Sequence, residues 1–318
     1  MPTPPSKRRV VWYGQMARPS SLRLKGLLLS GVGLVWLAVF LVLPSLVLVA
    51  LAFAQRGPQG QVVWQWTTES FTRLAGWGVF GEWEADNLRI LARTVLIATV
   101  TTILCVALAY PMAFFIASRS PRVRYLLLLL VIVPSCVNIV IRTYAWQLIF
   151  SPKLPVAPVL NRGFDAVEWL AALVGWDVGD IVAYPGAFAV YVGMVTAMLP
   201  FAVLPIYSNV ERMDWSIVDA ARDLYASKWG VIRSAIVPQT TPGLAVAVIL
   251  TFVPAMGMFV VPDLLSGAKY MLVGNLIQMQ FGTSRDWPYG AAISMVLVAL
   301  TLLGLMVIRR RRGGVELV

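Results

Sequence analysis

The chain contains no histidine. That removes the side chain most often used as a general base near neutral pH, and the commonest metal ligand. Cysteine occurs twice, at Cys105 and Cys136, both inside apolar runs. Two buried thiols are too few for a disulfide framework or a zinc site. Neither a Ser-His-Asp nor a Cys-His set can be assembled without an imidazole. No GxxxxGK[ST] segment occurs, so the chain does not itself cradle nucleotide phosphates in the P-loop manner. Charge is scarce as well, at 13% of 318 residues, where an ordinary soluble domain carries about a quarter. The expectation is a non-enzymatic chain with no cofactor and no bound metal.

What fills the space is apolar: 59% of the residues are hydrophobic. That ratio predicts an all-α polytopic membrane protein. The formal net charge of +11 might point to nucleic acid, but its placement argues otherwise. Lys7, Arg8, Arg9, Arg18, Arg23 and Lys25 precede the first apolar run, and Arg309 to Arg312 follow the last one. Charges so placed are topology signals that face the cytosol and touch anionic headgroups. Membrane lipid is therefore an expected partner and nucleic acid is not.

Read in order, the chain predicts six spans with both termini cytosolic. Residues 1–26 form a Pro-, Ser- and Arg-rich cytosolic segment, and 27–318 the transmembrane domain. The first apolar run, Gly26 to Ala54, is nearly twice the length of a signal-peptide core and reads as a retained span. A polar excursion, Gln55 to Asn87, carries Trp64, Trp66, Trp77 and Trp83, which suit the lipid interface. The second span is Leu88 to Ala117. The third, Tyr125 to Phe150, holds Pro134, Asn138 and Arg142. The fourth is Pro185 to Val210. The fifth opens at Thr241-Pro242, read as an N-cap with proline at the first helical position, and runs to about Pro262. The sixth is Tyr289 to Ile308. Arg142 lies well inside a span, where a charge needs a partner, a wet cavity or room to snorkel.

One polar interval stands out in the second half: DAARDLYASKWGVIRSAIVP, Asp219 to Pro238, within a loop spanning residues 211–242. Its pattern predicts two short helices. Ile217, Ala221, Leu224 and Tyr225 form an apolar stripe, with Asp219, Arg222 and Asp223 opposite. Ser216 and Asp219 read as a capping box, Ser227 as the second cap, and Pro238 as the stop.

Asp219-Ala220-Ala221, then Ala226-Ser227, then Pro238 resemble the EAA loop of ABC-transporter inner-membrane permeases. Asp219 stands for the usual Glu, and Tyr225 for the usual Gly. If the turn requires positive φ, a bulky side chain at 225 is strained. The resemblance implies a type I ABC importer permease fold in which Asp219, Ala220, Ala221, Arg222, Asp223, Tyr225, Ser227 and Pro238 couple the membrane domain to an ATPase.

A second set of segments resembles the spermidine/putrescine transporter permeases. These are Asn138 to Tyr144, Pro254 to Phe281 and Arg285 to Ala292. That resemblance implies partners: a cytosolic ABC ATPase dimer, a second permease subunit and an extracytoplasmic solute-binding protein. A flexible polycation needs carboxylates for its amines and aromatic faces for its charges and methylenes. Tyr144, Trp146, Asp263, Asp286, Trp287 and Tyr289 are candidates for that path. Competing readings are a permease for an opine, an aminophosphonate or ferric ion, a non-transporting membrane scaffold, or an ion channel. The channel is disfavoured because no ring-forming acidic filter is visible.

Overall fold

The computed structural model describes residues 31, 33–77, 85–173, 182–267 and 269–311, with side chains undescribed in 166–173 and 307–311. The amino-terminal basic segment, Trp83, and the last of the four terminal arginines therefore lie outside the described residues. Contacts divide the chain after Leu51 into two compact units. The first contributes most of helix α1, Gly33–Ala52, which is apolar along its length and contains one wide π turn at Ala38–Val42. Its side chains, among them the neighbouring rings of Trp36 and Phe40, are exposed.

The second unit begins with a small antiparallel hairpin, β1 (Gln55–Arg56) and β2 (Val62–Val63), followed by α2, Glu69–Leu74. Helix α3, Asp86–Ala117, starts on an acid suited to the positive end of its dipole and ends just before Pro121. That proline opens α4, Pro121–Cys136, at the one helical position where its missing N–H is free of cost. Beyond α5 (Ile139–Ile149) come α6 (Val156–Leu173) and α7 (Ala187–Glu211). Then follow α8 (Trp215–Asp223), α9 (Lys228–Met256), α10 (Val260–Leu265), α11 (Val273–Phe281) and α12 (Trp287–Arg311).

Three long helices, α3, α7 and α9, pack on one another and form the centre of the bundle. Toward one end Ala109, Ala113 and Ile116 of α3 meet Ala202, Val203, Ile206 and Val210 of α7. Toward the other, Ile97 and Ala98 meet Val190, Met194, Met256 and Leu265. Small residues let the backbones approach. A Cβ on Gly243 would stand 2.6 Å from Asn209 and 2.8 Å from the Pro205 carbonyl oxygen. Helices α3, α7 and α9 continue unbroken past Pro111, past Pro200 and Pro205, and past Pro242 and Pro254.

Five helices are long and apolar enough to cross a membrane, and a bent pair raises the number to six. The third expected span is that pair: α4 and α5 meet at 94°. The break has a local cause. Val137 is extended, and Asn138 caps α5 by accepting the Val140 N–H at 2.8 Å. Arg142 then reaches back and donates to the Pro134 carbonyl at 3.0 Å. Its charge therefore sits on the negative end of α4, where a helix stop has left carbonyls without partners.

The fifth span also differs from expectation. Pro238 does not stop a helix, and Thr241-Pro242 does not start one. Helix α9 is continuous from Lys228 to Met256 because a π turn, Ile232–Ile236, immediately precedes Pro238. A wide turn moves carbonyls away from the pyrrolidine ring and absorbs the missing donor. The Thr241 hydroxyl accordingly bonds back within the helix to the Val237 carbonyl at 2.6 Å.

Candidate functional site

Between α7 and α9 the chain leaves the bundle as α8 and a tight turn. Asp214, not Ser216, caps α8: its carboxylate accepts the Ser216 N–H at 2.9 Å. Hydrogen bonds from the Ser216 side chain and backbone hold the Asp214 carboxyl below its ordinary value. Gln239 of α9 fixes the same residue from the other side, accepting the Asp214 N–H at 3.0 Å and donating to its carbonyl at 3.3 Å. Asp219 pairs with Arg222 one turn on, at 3.3 Å, both well exposed. Ser227 caps the following helix as expected, its hydroxyl accepting the Gly230 N–H at 3.1 Å.

The turn between the two helices is a Schellman motif. The Ala226 N–H bonds to the Ala221 carbonyl at 3.1 Å, and the Tyr225 N–H to the Arg222 carbonyl at 2.9 Å. That closure places Tyr225 at φ +57°, the left-handed region a glycine adopts without strain. The geometry tied to the usual glycine is thus kept with a tyrosine in its place.

The expected apolar stripe divides between two faces. Val218 is the buried residue of α8, against Met213, Val231 and Ala235, with Ala221 and Ala226 partly buried beside it. Ile217, Leu224 and Tyr225 point away, joined by Trp215 and Trp229. Leu224 is 82% exposed, Tyr225 98% and Trp229 73%. One valine satisfies the small core beneath α8, so the larger side chains are left outside. The sequence pattern named the stripe without weighing Val218, which stands three residues before Ala221 and so shares its side of the helix, and that position was the available signal. Ala220, Asp223 and Pro238 are exposed as well.

The six residues named for a solute path do not form one group. Tyr144 and Trp146 lie on α5, the first exposed and the second stacked on Phe150 with ring centroids 5.4 Å apart. Helix α10, which carries the exposed Asp263, packs against α5. Trp287 is half exposed at the start of α12. Asp286 and Tyr289 are instead buried together. The Asp286 carboxylate accepts from Arg73 at 2.9 Å and lies 3.7 Å from Arg56, while Arg73 stands over the Tyr289 ring at 4.4 Å. Arg56 and Arg73, which anchor the hairpin and α2 to α12, were absent from the expected set. They lie more than two hundred residues from Asp286, and no local pattern in the sequence connects them.

Residues 106–310 match the family of binding-protein-dependent transport system inner membrane components. The spermidine/putrescine transport system permease protein PotB of Escherichia coli (strain K12) is 37% identical over 273 residues, covering 86% of this chain and 92% of that one. A crystal structure of a bacterial ABC transporter involved in import of the acidic polysaccharide alginate has a chain of like fold. Its TM-score is 0.61 at 17% identity, covering 92% of this chain and 96% of that one. A second structure, of a bacterial alginate ABC transporter in complex with an alginate pentasaccharide-bound periplasmic protein, gives 0.57 at 15% identity over 90% and 92% of the two chains. The chain belongs to the binding-protein-dependent transport system inner membrane components, as a multi-pass permease of the ABC type.

Proposed function

We propose that the chain is the permease subunit of a polyamine importer, driven by a separate ATPase that seats against the α8 loop. The observation that carries the coupling role is the loop's construction. Two caps, a Schellman turn and a small core hold it rigid, yet five large apolar side chains face away from the bundle. Exposed apolar clusters on a rigid support are what a docking surface requires. The proposed occupant is a cytosolic ABC ATPase dimer, one copy on this loop and one on the loop of a second permease subunit. In this reading, with six spans, the loop and both chain termini face the cytosol.

The substrate class rests on similarity to curated spermidine/putrescine permeases over most of both chains. Asp263, Tyr144, Trp146 and Trp287 are the path residues that keep free carboxylate or aromatic surface. Asp286 and Tyr289 have theirs committed to Arg73, so their part is to shape the wall. A binding protein delivering solute to the face opposite the loop completes the assembly.

Reconstitution of the full complex in proteoliposomes tests the reading. Labelled spermidine or putrescine is expected to accumulate in an ATP-dependent manner. Uptake of an opine or aminophosphonate in its place would overturn the substrate assignment. Ala220→Asp adds a charge to an exposed position of the docking face and is expected to abolish uptake without unfolding the loop.

A further inference from the structure

Arg124, near the start of α4, makes three helices meet at the root of the loop. One terminal nitrogen donates to the Glu211 carboxylate at 2.8 Å, and the other to the Ala117 carbonyl at 2.8 Å. Ala117 is the last residue of α3 and Glu211 the last of α7. A planar guanidinium holding two acceptors in one fork fixes their relative placement as well as their separation. An ion pair this exposed, at 28% and 43% for the two side chains, adds little to stability. Its effect is geometric.

Three residues separate Glu211 from the start of α8. Met213 is buried and donates its N–H to the Val210 carbonyl at 3.2 Å, so this link has little slack. Asp214 is in turn held by Gln239 of α9. The loop is thus fastened to α9 through Gln239, to α3 by Phe114, which packs on the core of Met213 and Val218, and to α3, α4 and α7 through Arg124. With the Arg124 fastening gone, α8 could rock on its root without carrying α4, leaving the apolar Phe114 contact to hold α3.

We infer that Arg124 and Glu211 are positioning residues for energy coupling, a clasp that makes α3, α4 and α7 follow the loop as one body. The inference rests on the loop's proposed role as the ATPase seat. It is tested on the complete transporter in proteoliposomes, by measuring solute moved per ATP hydrolysed. Arg124→Gln and Glu211→Gln are each expected to lower that ratio about tenfold, within the usual range of coupling between sites. Arg124→Lys keeps the charge but not the fork and is expected to fall between them and the native protein. An unchanged ratio overturns the clasp, and so does a parallel loss of hydrolysis and uptake. Ala220→Asp, assayed alongside, separates the two ideas: if it leaves the ratio intact, the seat itself is misplaced. If it uncouples while Arg124→Gln does not, only the clasp fails.

Discussion

Arg73 and Asp286 meet at 2.9 Å across more than two hundred residues of sequence, with the carboxylate side chain 2% exposed. The pair ties α2 to the head of α12, and Tyr289 offers its ring to the same guanidinium. Removing one member strands the other. Asp286→Ala is expected to cost about 3 kcal/mol, the scale on which a buried pair is broken from one side. Tyr289→Phe keeps the ring and is expected to cost far less. Thermal unfolding of the detergent-solubilised protein checks both, and equal losses would show that the ion pair does not anchor the hairpin end.

Tyr225 predicts a separation of stability from partner binding. At φ +57° a non-glycine residue carries about 1–2 kcal/mol of strain, and glycine gives back part of that in chain entropy. Tyr225 is almost fully exposed, so Tyr225→Gly loses no packing within this chain. The variant is expected to be at least as stable as the native protein. If the tyrosine is kept for its contact with the ATPase, the same variant should capture that partner less well in pull-down. Full capture would show that the strain serves nothing on that face.

Asp214 sets a pH dependence at the base of α8. Its folded carboxyl lies below the ordinary value because Ser216 donates to the charged form. The unfolded state therefore binds the proton more readily, and the cap's contribution is fully present above the ordinary carboxylate range. It is lost as pH falls through and below that range. Protection of the first-turn amides of α8 from hydrogen exchange, taken relative to the intrinsic rate at each pH, should fall on acidification in the native protein. In Asp214→Asn it should not change across the same window.

Gly243 marks a close approach of α7 and α9. Any side chain there meets Asn209 and the Pro205 carbonyl at distances no Cβ tolerates. Gly243→Ala is expected to destabilise by about 1–3 kcal/mol through overpacking. Gly163→Ala, inside α6 where nothing stands within 4 Å, is the control and should hold or slightly raise the melting temperature.

Hydropathy made the spans legible because a bilayer leaves few alternatives for an apolar run of that length. The second, fourth and sixth expected spans lie within α3, α7 and α12 nearly residue for residue. Proline was the misleading signal. At Pro238 it suggested a stop, but a π turn five residues long carries the helix past it. At Pro134 and Asn138 the breakers were read as features inside a span, although Asn138 is a cap and the chain turns by 94°. A breaker reveals that backbone bonds are lost. Whether a neighbouring turn, side chain or carbonyl replaces them is decided by residues elsewhere, as Arg142 shows. The Arg124 and Arg73 contacts were illegible for the same reason, since each joins helices far apart in the chain.

The unbroken course of α9 has a mechanical consequence. Its 29 residues make a rod of about 43 Å. That is more than the thickness of the hydrocarbon layer it crosses. On the proposed role of the loop, a push received at Ser227 would be carried by this helix toward Met256 at its other end, and the wide turn beside Pro238 is the soft place nearest the push. In that reading the stroke would be set close to the loop, where the five residues of the wide turn divide each push between tilt and bending.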